Sequence, residues 1–299
     1  MLSAVLLTLS IAEYITRNYA YSDYAYKHNY ILRNGDSIKT LILGSSHGYQ
    51  GIDPNVIPCA FNLANSAQPL QYDYELLKHY DSQFVNLENV ILTISYFSFR
   101  SSFDLVTYDW QKTAYKVYMD VPVYSDFSKY NFITSYMPLF RTVMGSVMRD
   151  ERQYTCDSLG FKAQSIKERS DEWENSEAKV AIKSHSYTDT TYVHYNTEKL
   201  KEIIAFCKER NINLTLITTP TWHAYYENLN PAQLAEMYRI VERLQAEYNF
   251  DYYDFLKDKR FTSDDFINAD HLNEDGAKKL TEMLLNTIIN PRNINEFAK

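Results

Sequence analysis

The fold is decided by the stretch Ile38-Lys39-Thr40-Leu41-Ile42-Leu43-Gly44-Ser45-Ser46-His47-Gly48. Its first part, residues 38–43, is mostly apolar and predicts a buried parallel strand, because such a strand is covered on both faces and need not alternate polar with apolar residues. The carboxyl ends of strands in an open α/β sheet face the ligand crevice, so side chains just past Leu43 are displayed there. Ser46 is therefore a candidate nucleophile. In the alternative interpretation, Ser45 and Ser46 only cap the turn or helix that follows.

Strand and helix patterns alternate along much of the remaining chain. Further strands are predicted at residues 59–63, 90–94, 212–218 and 250–255. Helices are predicted at residues 72–80, from Thr197 as the N-cap to about residue 211, from Asn230-Pro231, and from Asn273. Strands that alternate with helices of this length predict an α/β fold, a parallel sheet of about five strands with helices on both faces.

Residues 97 to about 196 interrupt this rhythm and are interpreted as a helical insertion that covers the sheet edge or the site. A helix is expected within residues 131–152, where apolar side chains fall near helical spacing. The predicted organisation is an N-terminal segment and linker at residues 1–30, followed by one α/β domain at residues 31–299 that carries the insertion.

The amino-terminal residues 2–12 are almost wholly apolar until Glu13. This run is too short to span a bilayer, which takes about 20 apolar residues, and it lacks the basic start of a secretory signal. Three interpretations remain: the end of a membrane anchor that begins outside this sequence, an atypical signal, or an ordinary amphipathic helix. We favour the first, which predicts an extracytoplasmic, membrane-tethered protein, and the tyrosines that follow suit a membrane interface.

Composition narrows the classes of partner and cofactor. The formal net charge of −8 argues against nucleic acid as a partner, because phosphate binding needs a basic surface. The 27 tyrosines suit amphipathic surfaces such as carbohydrate-facing clefts and membrane-proximal belts, or they reflect the bias of the lineage. Cys59, Cys156 and Cys207 are widely spaced and predict neither a zinc site nor a disulfide framework. No metal or organic cofactor is expected.

A partner for Ser46 is sought among the histidines. A serine is a weak nucleophile until a base takes its proton, and that base is itself oriented by a third group. Asp270-His271 lies in the loop between the last strand and the last helix, which is on the same edge of the predicted sheet as Ser46. His271 is therefore the predicted base, although a loop residue that only caps the last helix is the alternative. His47 is expected to point away from Ser46. His223 is a second candidate for the base. The remaining histidines are interpreted as surface or core residues: His28, His79, His185 and His194.

Several short sequence motifs of the chain resemble the conserved blocks of the SGNH (GDSL-type) hydrolase superfamily. The resemblance covers about residues 38–289. The family's opening Gly-Asp-Ser is similar to Gly44-Ser45-Ser46, and its second block is similar to residues 62–67, with Ala67 in place of the usual glycine. Its closing Asp-x-x-His is similar to Asn268-Ala269-Asp270-His271, with asparagine at the usual acid position. The family's third block, Gly-x-Asn-Asp, is absent, so the substitutes for its asparagine are sought in Asn65, Tyr96 or Ser98.

The resemblance implies a flavodoxin-like three-layer sandwich and a serine esterase or O-acyltransferase that acts on acyl esters. In that interpretation Ser46 is the nucleophile, His271 is the general base and then acid, and Asp270 orients His271. The amides of Ser46 and Ala67, with Asn65, hold the oxyanion. The Gly-Ser-Ser-His variant resembles extracytoplasmic serine proteins of cell-surface polysaccharide O-acylation, which implies an acylated carbohydrate substrate and a membrane acyltransferase as partner. The alternative is a non-catalytic binding or assembly protein on the same fold.

Overall fold

A parallel β-sheet forms the centre of the protein. The computed structural model describes residues 2–18, 22–103, 109–121, 145, 148 and 155–288. Within these ranges the sheet has five strands: β1 (Thr40–Leu43), β2 (Ala60–Asn62), β3 (Asn89–Thr93), β4 (Asn213–Thr218) and β5 (Asp251–Asp254). Their order is β2-β1-β3-β4-β5, and every pair of neighbours is parallel. This is the flavodoxin-like doubly wound order, so the predicted fold class is confirmed.

The sequence pattern of β1 follows from its position in the sheet. It lies between β2 and β3, with Leu41 opposite Phe61 on one side and Val90 on the other. All four residues of β1 are buried, as expected for a strand that is covered on both faces. The edge strand β5 is half-buried or exposed along its length, and its sequence is accordingly more polar.

Ten helices lie in the described part of the chain: α1 (Leu2–Asn18), α2 (Asp23–Asn34), α3 (Ser46–Gly51), α4 (Leu70–His79), α5 (Asp109–Met119), α6 (Ser176–His185), α7 (Thr191–Glu209), α8 (His223–Tyr226), α9 (Pro231–Tyr248) and α10 (Glu274–Ile288). Two predicted starts are confirmed. The side chain of Asn230 accepts the backbone N–H groups of Ala232 and Gln233 at the start of α9. At the start of α10, Oδ1 of Asn273 accepts the N–H of Gly276 at 2.9 Å.

The helices of the α/β core cover both faces of the sheet. The chain runs from β1 out to the edge strand β2 and then back past β1 to β3, so right-handed connections place helices on opposite faces before and after this reversal. Accordingly α3 packs against α10, and α7 packs against α9. The α10 side chains Leu280 and Leu284 share a buried cluster with Ile42, Ile91 and Ile217 of the central strands. This cluster is one half of the core.

One predicted boundary is wrong. Helix α7 begins at Thr191, so Thr197 lies inside the helix and is not its N-cap. The Oγ1 hydroxyl of Thr197 donates to the carbonyl of Val193 at 2.7 Å, one turn earlier. Threonine makes this bond within helices as readily as it caps them, so the residue type alone did not mark the boundary. The backbone N–H of Thr191 is instead satisfied by Oδ1 of Asp189 at 2.8 Å.

The chain divides into two compact units. One contains residues 1–35, 75–83 and 102–155, and the other contains residues 36–74, 84–101 and 156–299, including the sheet. In the first unit α2 packs against α5 through the rings of Tyr24 and Tyr115, whose centroids are 4.8 Å apart. The helix predicted within residues 131–152 lies outside the described residues, except for positions 145 and 148. In the ranges that the structure describes, no helix combines the length and the apolar character needed to cross a bilayer.

Candidate active site

The loop after β1 displays Ser46 at the carboxyl edge of the sheet. Gly44 has a φ of +119°, and a Cβ at this position would lie 2.1 Å from Oγ1 of Thr93, so only glycine fits. The hydroxyl of Ser45 accepts the N–H of His47 at 3.4 Å and is the N-cap of α3. Ser45 therefore takes the capping role. The hydroxyl of the half-buried Ser46, the first residue of α3, makes no such bond.

His271 lies directly opposite this hydroxyl. Its Nε2 is 2.8 Å from Oγ of Ser46, although the two residues are 225 positions apart in the chain. The loop that carries His271 is held by backbone bonds. The N–H of Ile267 donates to the carbonyl of His271 at 3.1 Å, and the N–H of Trp222 donates to the carbonyl of Ala269 at 2.8 Å. The residues that follow β4 thus support the loop that carries the imidazole.

Asn268 determines which nitrogen of His271 carries the proton. Its Oδ1 accepts the backbone N–H groups of Asp270 at 3.2 Å and His271 at 2.8 Å, which fixes the orientation of the amide. The same oxygen is 3.0 Å from Nδ1 of the His271 ring, so this nitrogen must be a donor. Nε2 is then unprotonated in the neutral ring, and it accepts the hydroxyl proton of Ser46. This is the arrangement that a general base requires.

Asp270 supplies a buried negative charge beside the same ring. Its Oδ1 lies 3.3 Å from Nδ1 of His271, and its side chain is 4 % exposed. Burial by itself would raise the pKa of this carboxyl, but the neighbouring imidazoles, above all His271, hold that pKa well below its usual value. Asp265, the other nearby acid, is occupied elsewhere, because it accepts the N–H of Thr262 at 2.7 Å and pairs with Lys279 at 2.8 Å.

Two histidines that the sequence analysis set aside belong to this site. The ring of His47 is buried and lies 5.1 Å from that of His271. Consecutive helical residues are about 100° apart around the helix axis, so the His47 side chain leaves α3 on a different side from Ser46, where it meets Asp270 at 3.8 Å. His185, which was interpreted as a surface or core residue, stacks on Phe97 at 4.2 Å between centroids. No signal in the sequence around residue 185 indicated this placement, because it depends on how α6 packs.

Burial favours the neutral form of two of the imidazoles around Asp270, those of His47 and His185. Burial lowers the pKa of His47, and it lowers that of His185 to about 4. His185 also lies 2.8 Å from the hydroxyl of Tyr225 through its Nδ1. The second candidate, His223, is elsewhere, half-exposed and 3.9 Å from Glu227. His271 is therefore the histidine that the structure brings to Ser46.

A turn beside the serine carries the predicted oxyanion donors. The N–H of Asn65 donates to the carbonyl of Gly44 at 3.1 Å, and the N–H of Gln68 closes the turn on Asn65 at 3.2 Å. Ala67 occupies the turn with a φ of +56°, the conformation that favours glycine at this position. Within the described residues, the backbone N–H groups of Ser46 and Ala67 and the side-chain amide of Asn65 make no hydrogen bond. All three donors are therefore available.

The hydroxyls of the two other candidates for the missing third block each accept a backbone N–H. The hydroxyl of Tyr96 accepts the N–H of Asn230 at 3.0 Å and contacts Ser186 at 3.1 Å. The hydroxyl of Ser98 accepts the N–H of Ser95 at 2.8 Å. Asn65 is the candidate that lies in a turn bonded directly to the nucleophile loop, through its N–H to the carbonyl of Gly44.

A cavity of about 360 Å³ opens beside the imidazole. Its walls are one side of α6 and the loop that carries His271, and they comprise Ser176, Glu177, Val180, Ala181, Ser184, His185, Asn268, Asp270 and His271. Val180 is 67 % exposed, which places it at the mouth of the cavity. Helix α6 lies within residues 97–196, the segment interpreted from the sequence as an insertion.

One group of side chains has donor atoms close enough together to be considered for a metal ion. Among the described residues these are His47, Asp270 and His271, with ligand atoms within 4.8 Å of one another. Nε2 of His47 and Oδ2 of Asp270 are 3.8 Å apart, whereas a tetrahedral zinc ion holds its donors about 3.4 Å apart. Nδ1 of His271 is also engaged by Asn268. The other ring nitrogen of His271, Nε2, contacts Oγ of Ser46 at 2.8 Å, so this group does not present three free donor atoms to a metal ion.

Comparison with known proteins gives no family assignment. No family model and no curated protein matches the chain. Among solved structures, a Bacteroides fragilis protein provisionally assigned as an acylhydrolase is similar, at 11% sequence identity over 87% of this chain and 95% of its own. The TM-score is 0.41, which is too low for this likeness to bear on function.

Proposed function

We propose that this protein is an SGNH-type serine esterase or O-acyltransferase that acts on acyl esters. The observation that carries the proposal is the 2.8 Å contact between Oγ of Ser46 and Nε2 of His271, in the tautomer that Asn268 imposes. A serine next to an unprotonated imidazole nitrogen, with a buried carboxylate behind the ring, has the three roles of an activated nucleophile.

The reaction follows from this geometry. Oγ of Ser46 attacks the acyl carbonyl carbon while Nε2 of His271 takes the hydroxyl proton, and Asp270 stabilises the resulting imidazolium. The N–H groups of Ser46 and Ala67 and the amide of Asn65 bind the oxyanion, since charge develops on that oxygen. His271 then gives its proton to the leaving alkoxide, which departs as an alcohol and leaves an acyl-serine. A water molecule or a sugar hydroxyl, deprotonated by His271, attacks the acyl-serine. His271 then returns this proton to Oγ of Ser46 as the acid or a new ester is released, which regenerates the free enzyme.

The substrate class is proposed from the sequence and from the cavity. The Gly44-Ser45-Ser46-His47 block resembles that of proteins in cell-surface polysaccharide acylation, and the apolar residues 2–12 suit a protein tethered outside the cytoplasm. We therefore propose an acylated carbohydrate as substrate and a membrane acyltransferase as partner. The cavity beside His271 has room for a short acyl chain or for part of a sugar ring.

Hydrolysis of an ester series tests the proposal. The wild-type chain is incubated with p-nitrophenyl acetate, butyrate and octanoate and with acetylated sugars, alone and with a sugar acceptor in excess. Ester cleavage that disappears in Ser46→Ala and persists in Ser170→Ala is the expected result, because the hydroxyl of Ser170 lies outside the cavity and accepts the N–H of Glu172. A folded wild-type protein that leaves every ester intact, with and without a membrane acyltransferase, favours the non-catalytic binding protein instead.

A further inference from the structure

The second oxygen of the Asp270 carboxylate faces histidines that the proposed mechanism does not use. Oδ2 lies 3.8 Å from Nε2 of His47 and 3.8 Å from Nδ1 of His185. Both Oδ2 and Nε2 of His47 are fully buried, and neither has a hydrogen-bond partner in the described structure. Two buried polar atoms that face each other without other partners are costly unless they interact, so this pair needs an explanation.

We propose that His47 is a positioning residue for Asp270: its Nε2–H donates to Oδ2 when the substrate is bound and so keeps Oδ1 on the His271 ring. The proposal rests on the proposed function. At 3.8 Å the contact is too long for a hydrogen bond. Catalytic hydrogen bonds are often long in the free enzyme and tighten in the complex, so a movement of about 1 Å is sufficient.

The tautomer of His47 follows from its neighbours. A carboxylate oxygen only accepts, so the ring nitrogen that faces it is favourable only as an N–H. Nδ1 of the neutral ring is then an acceptor, and it lies 2.9 Å from the hydroxyl of Ser95, which donates to it. The hydroxyl of Ser45, 3.4 Å from Ser95, is placed to donate to Ser95 in turn. A continuous set of polar contacts thus runs from Ser45 through Ser95 and His47 to Asp270.

His185 is less suited to this role. Its Nδ1, the atom near Oδ2, is already 2.8 Å from the hydroxyl of Tyr225. Its ring also lines the cavity, where a bound substrate would contact it. His47 has its side chain 4 % exposed, and the nitrogen that faces Asp270 has no other partner.

The position of His47 in the chain gives the contact a function. His47 follows Ser46 directly on α3, and Asp270 precedes His271 directly in the opposite loop. The nucleophile and the residue that holds the carboxylate are therefore fixed to the same helical turn. A bond between His47 and Asp270 keeps the His271 loop in register with Ser46, which matters because small errors in position are costly in catalysis.

Two substitutions at residue 47 test the role. His47→Leu removes the donor, and we expect kcat to fall roughly 10- to 100-fold with KM nearly unchanged. His47→Gln restores an amide N–H near the position of Nε2, and we expect it to recover kcat to within about threefold of the wild type. His223→Leu is the matched control and keeps wild-type activity, because this half-exposed ring is outside the site. Equal losses in both variants, or none in His47→Leu, overturn the proposal.

A spectroscopic measurement keeps the test independent of activity and of folding defects. In ¹⁵N-labelled wild-type protein at neutral pH, the proposal predicts that Nε2 of His47 is protonated and Nδ1 is not, and that Ser95→Ala shifts the Nδ1 resonance. The opposite tautomer overturns the proposal even if ester cleavage is found. If no ester is cleaved but the predicted tautomer and shift are seen, the network stands and the proposed function fails.

Discussion

Oδ1 of Asn268 accepts the Nδ1–H of His271 at 3.0 Å, a shorter contact than the 3.3 Å from that nitrogen to the carboxylate of Asp270. In the proposed mechanism, the two roles that one aspartate has in a serine–histidine–aspartate triad are divided between two side chains. We propose that the neutral amide fixes the tautomer and that the buried carboxylate stabilises the imidazolium. Asparagine at the usual acid position of the resembled family is therefore compatible with a working base.

If Asp270 and Asn268 share these two roles, replacing either one should lower kcat less than replacing the single acid of an ordinary triad. Where one acid does both jobs, replacing it with its amide costs about 10⁴-fold in kcat, chiefly through the wrong tautomer. Here we expect Asp270→Asn to cost roughly 10²-fold and Asn268→Ala roughly 10-fold, because each leaves the other's contribution in place. The double variant is expected to lose more than the product of the two. If the loss in kcat/KM of the double variant equals the product of the losses in the two single variants, the two side chains act independently.

The amide of Asn65 is expected to contribute to transition-state binding. Removal of one oxyanion donor typically costs about 10²- to 10³-fold in kcat. We therefore expect Asn65→Ala to lose activity in this range with little change in KM. Asn86→Ala is the matched control, because its exposed side chain bonds only to the carbonyl of Asp36. If the two variants behave alike in steady-state kinetics, Asn65 is not an oxyanion donor.

The glycine at the end of β1 is expected to be irreplaceable. In Gly44→Ala, the added methyl group meets Thr93 at 2.1 Å in a backbone conformation that alanine rarely adopts. We expect the free energy of unfolding to fall by about 2 kcal/mol or more. Gly51→Ala, at the end of α3, places its methyl group 3.3 Å from Thr219 and is expected to change stability by less than about 1 kcal/mol. Chemical denaturation of both variants checks the difference, and equal stabilities would contradict it.

Asp73 is expected to make stability depend on pH. Its buried carboxylate accepts the N–H of Gly44 at 2.8 Å and the amide of Gln68 at 2.5 Å, so it joins the nucleophile loop to the turn with Ala67. Burial raises its pKa to about 7. The folded state then holds a proton that the unfolded state, with a pKa of about 3.9, has released.

The contribution of Asp73 should therefore lower the free energy of unfolding as pH rises from about 4 to about 7. Above that range the same contribution should change little. The full effect is about 4 kcal/mol, at about 1.4 kcal/mol for each pKa unit. Asp73→Asn keeps an acceptor for Gly44 but does not titrate, so its unfolding curve should lack this slope. Urea denaturation across the pH range measures it, and identical slopes in both proteins would contradict the assignment.

The elements that the sequence predicted well are those determined by local chemistry. The apolar run before Gly44, the Asn230-Pro231 start of α9 and the Asn273 cap of α10 each depend on residues within one turn of one another. The meeting of Ser46 with His271 was predicted for a different reason: a parallel sheet brings the loops after its strands to one edge, whatever their separation in the chain.

The rest of the site depends on packing that no local pattern encodes. The His47 ring meets that of Phe97 at 5.5 Å and that of His185 at 6.3 Å between centroids, and neither neighbour is close to residue 47 in the chain. His185 reaches Asp270 only because α6 folds back over the loop of His271. Asn268 was visible in the sequence as a departure from the resembled family. Its effect on the tautomer required the hydrogen-bond geometry.

Covalent labelling of Ser46 tests the central claim most directly. The folded wild-type chain is treated with a fluorophosphonate probe, digested, and examined by mass spectrometry for the modified peptide. An activated serine next to an unprotonated imidazole predicts a single adduct on Ser46, absent in Ser46→Ala and strongly reduced in His271→Ala. Ser45, the adjacent capping residue, should remain unmodified. A folded wild-type protein that acquires no adduct at Ser46, or acquires it equally in His271→Ala, would contradict the claim that His271 activates this serine.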